Sequence, residues 1–194
     1  QTCALPILAG SAEFWRVDGA SLAARFFQDA PTPTWPSYHT HFKMNPPLRS
    51  AADRDAILEG LTDGTLTIIG SDHAPHTESE KEVEFDQAPF GITGLEVELA
   101  LTLMQLFHTG RLSLTEILAK FTVNPAQLLR FKDGRGHLVE GGVGDVTVFD
   151  PDRVWTRRRE ETASKSRNDP FDGWRLRGKA AYTVVGGKDR KAHV

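Results

Sequence analysis

From Tyr38 onward the apolar and polar positions follow regular periods. Ile57, Leu58 and Leu61 make one buried stripe behind a capping Ser50, which predicts a helix ending near Leu61. Asp63-Gly64 reads as a turn, and Leu66 to Ile69 as a short buried strand rich in β-branched residues. Residues 70–94 are polar and too long for a simple connection, and such loops in compact domains commonly carry function. Leu95, Leu99, Thr102, Leu103, Leu106 and Phe107 share one face of a helix expected over Leu95 to His108, stopped by Gly110. Ser113 and Glu116 form a capping box for a helix reaching about Phe121. Asn124-Pro125 predicts an N-cap and first-turn proline for a helix reaching about Arg130. Past Asp133 glycines punctuate short strands, among them Asp145 to Phe149 and Tyr182 to Val185. Arg157-Arg158-Arg159 with Glu160-Glu161 reads as a solvated, charge-balanced surface.

The first 37 residues resist this treatment. Residues 1–7 carry no folding signal and resemble the translation of a sequencing-library adapter, so they are set apart as a scar. Residues 8–37 hold a short helix candidate at Leu22 to Phe27 and a proline-rich stretch from Asp29 to Pro36, and are otherwise unassigned. A frameshift near Pro36 is one expectation for this segment, since Pro31 to Pro36 read two bases later can encode a better helix start.

Composition narrows the classes. With 194 residues, 39% hydrophobic and 25% charged, the chain has the balance of a soluble globular protein. A net charge of −3 leaves no electrostatic footprint for nucleic acid or an anionic membrane surface. No apolar run approaches the ~20 residues of a membrane helix. The single cysteine, Cys3, cannot form an internal disulfide, which points to a cytoplasmic setting.

Candidate chemistry gathers in three segments. Ser71-Asp72-His73-Ala74-Pro75-His76 directly follows the expected strand, where β/α barrels place catalytic groups. Asp72 there can bind a metal or move a proton, and the imidazoles can bind metal or substrate. An equally open alternative has Asp72 capping a turn and both histidines exposed. Lys43 to Arg49 contains two prolines that stiffen the backbone and leave Asn45 and Arg49 as polar handles. Ala88 to Gly94 has Gly91 and Gly94 for close backbone approach, although taken alone the segment reads better as an ordinary glycine loop before a helix. His39 and His41 read as surface histidines of a strand, and His108, His137 and His193 as helix-end or loop histidines.

Six segments in order, FKMNPPLRS, GSDHAPHTESEK, APFGITGLE, NPAQLLR, GDVTVFDP and SKSRNDPFDGWRLRG, resemble dihydroorotase, a cyclic amidohydrolase. The resemblance covers Tyr38 to about Gly187. It implies an α/β fold, the C-terminal part of an amidohydrolase-type TIM (β/α)8 barrel with strands of a small β-sandwich subdomain. Residues 38–132 then form the last part of the barrel with its active-site loop, and 133–194 the β-rich subdomain. The segment around Phe42 to Asn45 resembles the seventh barrel strand and Leu66 to Ile69 the eighth.

The implied chemistry is reversible, zinc-dependent interconversion of dihydroorotate and N-carbamoyl-L-aspartate in pyrimidine biosynthesis. Two zinc ions would polarise the ring carbonyl and hold the attacking hydroxide. By the same resemblance Asp72 is metal ligand and general base. Asn45 and His76 bind substrate, and Phe90 and Gly91 close over the ring through backbone groups. The family's remaining ligands are expected upstream of Tyr38, so this chain is expected to be a C-terminal fragment, inactive alone. A homo-oligomer or a carbamoyltransferase partner is an expectation for the full-length protein. The alternatives are a non-catalytic scaffold of a carbamoyltransferase and another cyclic-amide hydrolase, allantoinase- or dihydropyrimidinase-like.

Overall fold

The computed structural model describes residues 2–4 and 38–190. Strand β1 (Thr2–Ala4) lies parallel to β2 (Ile68–Gly70), with Thr2 opposite Ile68 and Ala4 opposite Gly70. Part of the segment set apart as a scar therefore contributes backbone to a sheet. The candidate helix at Leu22 to Phe27 and His193 lie outside the described residues.

Helix α1 (Ala51–Thr62) begins where the sequence places it. Ser50 and Asp53 form a reciprocal capping box, and Leu58 and Leu61 are its buried residues. Leu66 and Thr67, expected in the strand, lie just ahead of it. The Lys120 ammonium donates to the Leu66 carbonyl at 2.7 Å and the Asn124 amide to that of Thr67 at 2.7 Å. Asn124 therefore serves the approach to β2 rather than capping a helix.

A short helix α2 (Glu78–Lys81) interrupts the long loop, with its own capping box of Thr77 and Glu80. Helix α3 (Glu98–Thr102) continues into a π-helical turn at Leu103–Phe107, closed by the His108 N–H donating to the Leu103 carbonyl. The one-sided helix expected from Leu95 is corrected on two counts. Leu95 is 60% exposed and precedes the helix, while Ala100 to Leu106 are all buried, because sheet and helices cover this element on several sides. Helix α4 (Leu114–Phe121) starts at the Ser113–Glu116 capping box as expected. Helix α5 (Val123–Leu128) starts one residue before Asn124.

The tail is a three-stranded antiparallel sheet in the order β3 (Val146–Thr156), β4 (Arg175–Val185), β5 (Lys188–Arg190). Both long strands exceed the expected segments. Register shifts at Val148/Phe149 and Asp150/Val154 let β3 continue past Pro151. Gly178, at φ 103°, lets β4 lie against the π turn: an added Cβ would stand 2.5 Å from Leu103 Cδ1. The core joins α1, β2, α3, the π turn, α4 and β4, with Phe171, Trp174 and Leu176 entering from the tail.

The charged run at 157–161 is not simply a solvated surface. Arg157 is 4% exposed, and its guanidinium pairs with Asp169 and Glu96, each at 2.6 Å. An isolated buried guanidinium would be strongly destabilising, so the two carboxylates are a condition of this packing. His41 is likewise buried, in a 3₁₀ turn at Thr40–Phe42 rather than a surface strand. Burial, reinforced by the nearby charges of His39, Arg159 and Lys81, lowers its pKa to about 4, so the ring is neutral.

Glu98 lines an apolar cavity with Leu95, Leu99, Leu118 and Phe121. Burial raises its pKa to about 7. Its folded-state pKa exceeds the unfolded value, so the unfolded chain loses this proton first and stability falls as pH rises from about 4.5 to about 7. Glu98→Gln should therefore raise Tm at pH 7.5 and leave it nearly unchanged at pH 4, as read by thermal denaturation of both chains across that range.

Candidate active site

Strand β2 ends at Gly70, and the chain turns sharply at Asp72, which adopts a left-handed φ of 47°. Aspartate tolerates this region better than bulky residues do. Its carboxylate is exposed, and among the described residues it has no hydrogen-bond partner. It is therefore an acceptor-only group at the strand end whose position no turn cap explains.

His73 has a structural task. Its backbone bridges Ile92, and its Nδ1 accepts from the N–H groups of Gly94 at 3.1 Å and Leu95 at 3.4 Å. It thereby fixes the approach to α3. His76 is only partly exposed, and its Nε2 lies 2.9 Å from the Phe90 carbonyl, the geometry of a donated hydrogen bond. Its Nδ1 faces Glu80 Oε2 at 3.6 Å. Both exposed-histidine alternatives are thus corrected: these rings organise the loop.

Phe90 and Gly91 form a wall against Ala74 and His76. Gly91 has φ 139°, and an added Cβ would lie 2.6 Å from Ala74 Cβ and 3.0 Å from His76 Nε2. Only glycine fits there. The Phe90 ring is 57% exposed. The Gly91 N–H donates to the Lys43 carbonyl at 3.0 Å, which ties this wall to the segment carrying Asn45. That segment is not the expected strand: a 3₁₀ turn is followed by an irregular stretch with a cis Asn45–Pro46 bond, and Asn45 is exposed. A hydrogen bond thus joins His76 to Phe90 directly, and Gly91 follows Phe90 in the chain. Asn45 is linked to them through its own backbone segment, and Asp72 through the loop it begins.

Sequence reasoning missed the residue at the centre of this arrangement. Asn168 is 2% exposed. Its amide nitrogen donates to the carbonyls of Ala74 at 3.0 Å and Gly91 at 3.2 Å, and its amide oxygen accepts from the His76 N–H at 3.2 Å. Its own carbonyl accepts from the Thr93 N–H at 3.1 Å. The motif SKSRNDPFDGWRLRG contains Asn168, but no local pattern connects it with a loop so distant in sequence.

Among the described residues, no group of three or more His, Cys, Asp or Glu side chains is placed to hold a metal ion. Asp72 offers one carboxylate ligand, and the described residues do not by themselves fit a zinc centre, which needs about four donors. Asn168→Ala would leave three backbone groups, buried or partly buried, without their side-chain partner, a cost of about 3 kcal/mol from unsatisfied polar groups. Asn168→Asp should do no better, because a carboxylate faces the Ala74 and Gly91 carbonyls. Urea denaturation of the three chains measures both effects.

Comparison with known proteins identifies the family. The model of the amidohydrolase family matches residues 28–189. A dihydroorotase from Endomicrobium trichonymphae is 49% identical over 150 residues, covering 77% of this chain and 35% of that protein. A dihydroorotase from Geobacter sp. (strain M21) is 50% identical over 151 residues, covering 78% and 35%. The chain thus spans about a third of the length of these curated relatives. Among solved structures, an L-hydantoinase (dihydropyrimidinase) from Arthrobacter aurescens superposes with TM-score 0.79 and 26% identity, over 97% of this chain and 38% of that one. A dihydropyrimidinase from Brevibacillus agri NCHU1002 shares the fold at TM-score 0.71 and 23% identity, over 77% and 33%. The expected fold class, part of a TIM-barrel amidohydrolase, is borne out. With the family model matched over residues 28–189, the chain belongs to the amidohydrolase family.

Proposed function

We propose that the full-length protein containing this chain is a dihydroorotase, hydrolysing dihydroorotate to N-carbamoyl-L-aspartate and reversing that step in pyrimidine synthesis. The observation that carries the reading is an unengaged Asp72 just past the end of β2, at the head of a loop whose Phe90–Gly91 end folds back against Ala74 and His76. The names of the dihydroorotase relatives support the choice of substrate.

In this reading Asp72 is metal ligand and general base. Its carboxylate takes a proton from the attacking water and delivers it to the leaving ring nitrogen. Asn45 can both donate and accept, which suits a ring bearing C=O and N–H groups. His76 and the Phe90–Gly91 backbone hold the ring from the opposite side. Zinc, two ions in the whole enzyme, would supply Lewis acidity, with the remaining donors drawn from beyond the described residues. A homo-oligomer or a carbamoyltransferase complex is part of the same proposal. A hydantoinase- or dihydropyrimidinase-like activity is the second reading, favoured by the superposition over 97% of the chain.

The test is the full-length gene product assayed with dihydroorotate, hydantoin, dihydrouracil and allantoin. Preference for dihydroorotate is expected, and preference for hydantoin or dihydrouracil selects the second reading. Asp72→Ala should reduce kcat by about 10³-fold, in the range of lost acid–base catalysis. Asn45→Ala and His76→Ala should chiefly raise KM. Near-normal turnover by the Asp72 variant would remove it from its role.

The chain by itself should bind zinc weakly and without fixed stoichiometry, since Asp72 alone cannot replace a multidentate site. Equilibrium dialysis of the 194-residue chain measures this. Tight uptake of two ions per chain would overturn it.

A further inference from the structure

Lys81, on the short helix α2, is among the most buried side chains, at 2% exposure. Its ammonium donates to the Pro89 carbonyl at 2.8 Å and the Lys43 carbonyl at 3.2 Å. The Lys43 carbonyl also accepts the Gly91 N–H, so one cation sits where the Asn45 segment and the Phe90–Gly91 wall meet. From the other side Thr40 Oγ1 donates to the Lys81 carbonyl at 2.5 Å. The Lys43 ammonium adds a second tie. It donates to the Asp86 carbonyl at 2.7 Å and stands 5.0 Å from the Phe90 ring centroid.

Among the described residues neither ammonium has a carboxylate within ion-pair distance. The cost of this burial is visible in Lys81, whose pKa is lowered to about 8 by desolvation and then by the Lys43 charge. An apolar side chain would fill the space without that cost. What it could not do is draw two carbonyls from separate segments to a single point.

We propose that Lys81 is a positioning residue: its ammonium locks the Phe90–Gly91 wall to the segment bearing Asn45, so that both sides of the substrate cleft are presented as one rigid unit. The inference rests on the proposed reading of that cleft. The effect of Lys81 passes through backbone carbonyls, and it acts by lowering the ordering that binding would otherwise require.

The test uses the full-length protein with Lys81→Met, which keeps the length of the side chain and removes the donors, Lys81→Arg, which keeps the donors, and Lys43→Met. Lys81→Met should raise KM for dihydroorotate about tenfold and change kcat less than about threefold, the pattern of lost binding organisation. Lys81→Arg should recover part of the loss, and Lys43→Met should raise KM by a smaller factor. Amide exchange at Phe90 and Gly91 should quicken by about tenfold in Lys81→Met, reporting local opening. A merely structural role would lower folded yield and apparent kcat while KM stayed constant, and that outcome overturns the proposal. If Lys81→Met does not accumulate as folded protein, the Arg variant and Lys43→Met decide by the same split. If wild-type protein does not hydrolyse dihydroorotate, the functional reading has failed, and the exchange rates alone judge the lock: unchanged exchange overturns it.

Discussion

A backbone carbonyl or N–H held away from water must find a partner, and several in residues 71–94 find theirs far along the chain. Asn168 reaches the loop across sequence separations of 92 and 94 residues. Such contacts carry a loop-closure cost that is recovered only when both regions are already in place. The loop takes its shape with the docking of the tail, and His76, Gly91 and Thr93 are organised in the same event. The β-rich region is thus a structural component of the candidate site as well as its neighbour. Arg157, bonded to Glu96 beside the loop and Asp169 beside Asn168, fastens the same joint a second time.

Two buried cations solve the same electrostatic problem differently. Arg157 is neutralised by carboxylates, which suits a guanidinium with several fixed donors. Lys81 is solvated by neutral carbonyls alone and titrates at about 8. The first arrangement secures the packing of tail on barrel segment. The second leaves a charge whose only evident return is the placement of the carbonyls around it.

What the sequence made legible followed from local rules. Capping boxes at Ser50 and Ser113, the glycine stop at Gly110 and the β-branched run before Gly70 all depend on neighbours within a few residues. The candidate-site residues Asp72, His76, Phe90 and Gly91 stood out through their motifs. The misreadings share a different cause. Arg157 sits in a run whose charges balance locally, and only the remote Asp169 and Glu96 reveal that it is buried. Asn124 has every local mark of an N-cap, yet a carbonyl outside its own helix takes its amide. Leu95 continues a helical stripe in the sequence but precedes the helix, because His73 holds the preceding turn. Lys81 and Asn168 carry no local signal, since their tasks are defined by backbone atoms of other segments.

Gly91 and Asp72 differ in what holds them in place. Gly91 is required by Ala74 and His76, whose atoms leave no room for a side chain, whatever the protein does. Asp72 is exposed and has no hydrogen-bond partner among the described residues, in a backbone conformation that asparagine or glycine adopts at least as readily. A lineage that kept this fold as inert scaffolding would therefore retain the glycine and let the aspartate drift. The two positions read together distinguish selection for shape from selection for chemistry.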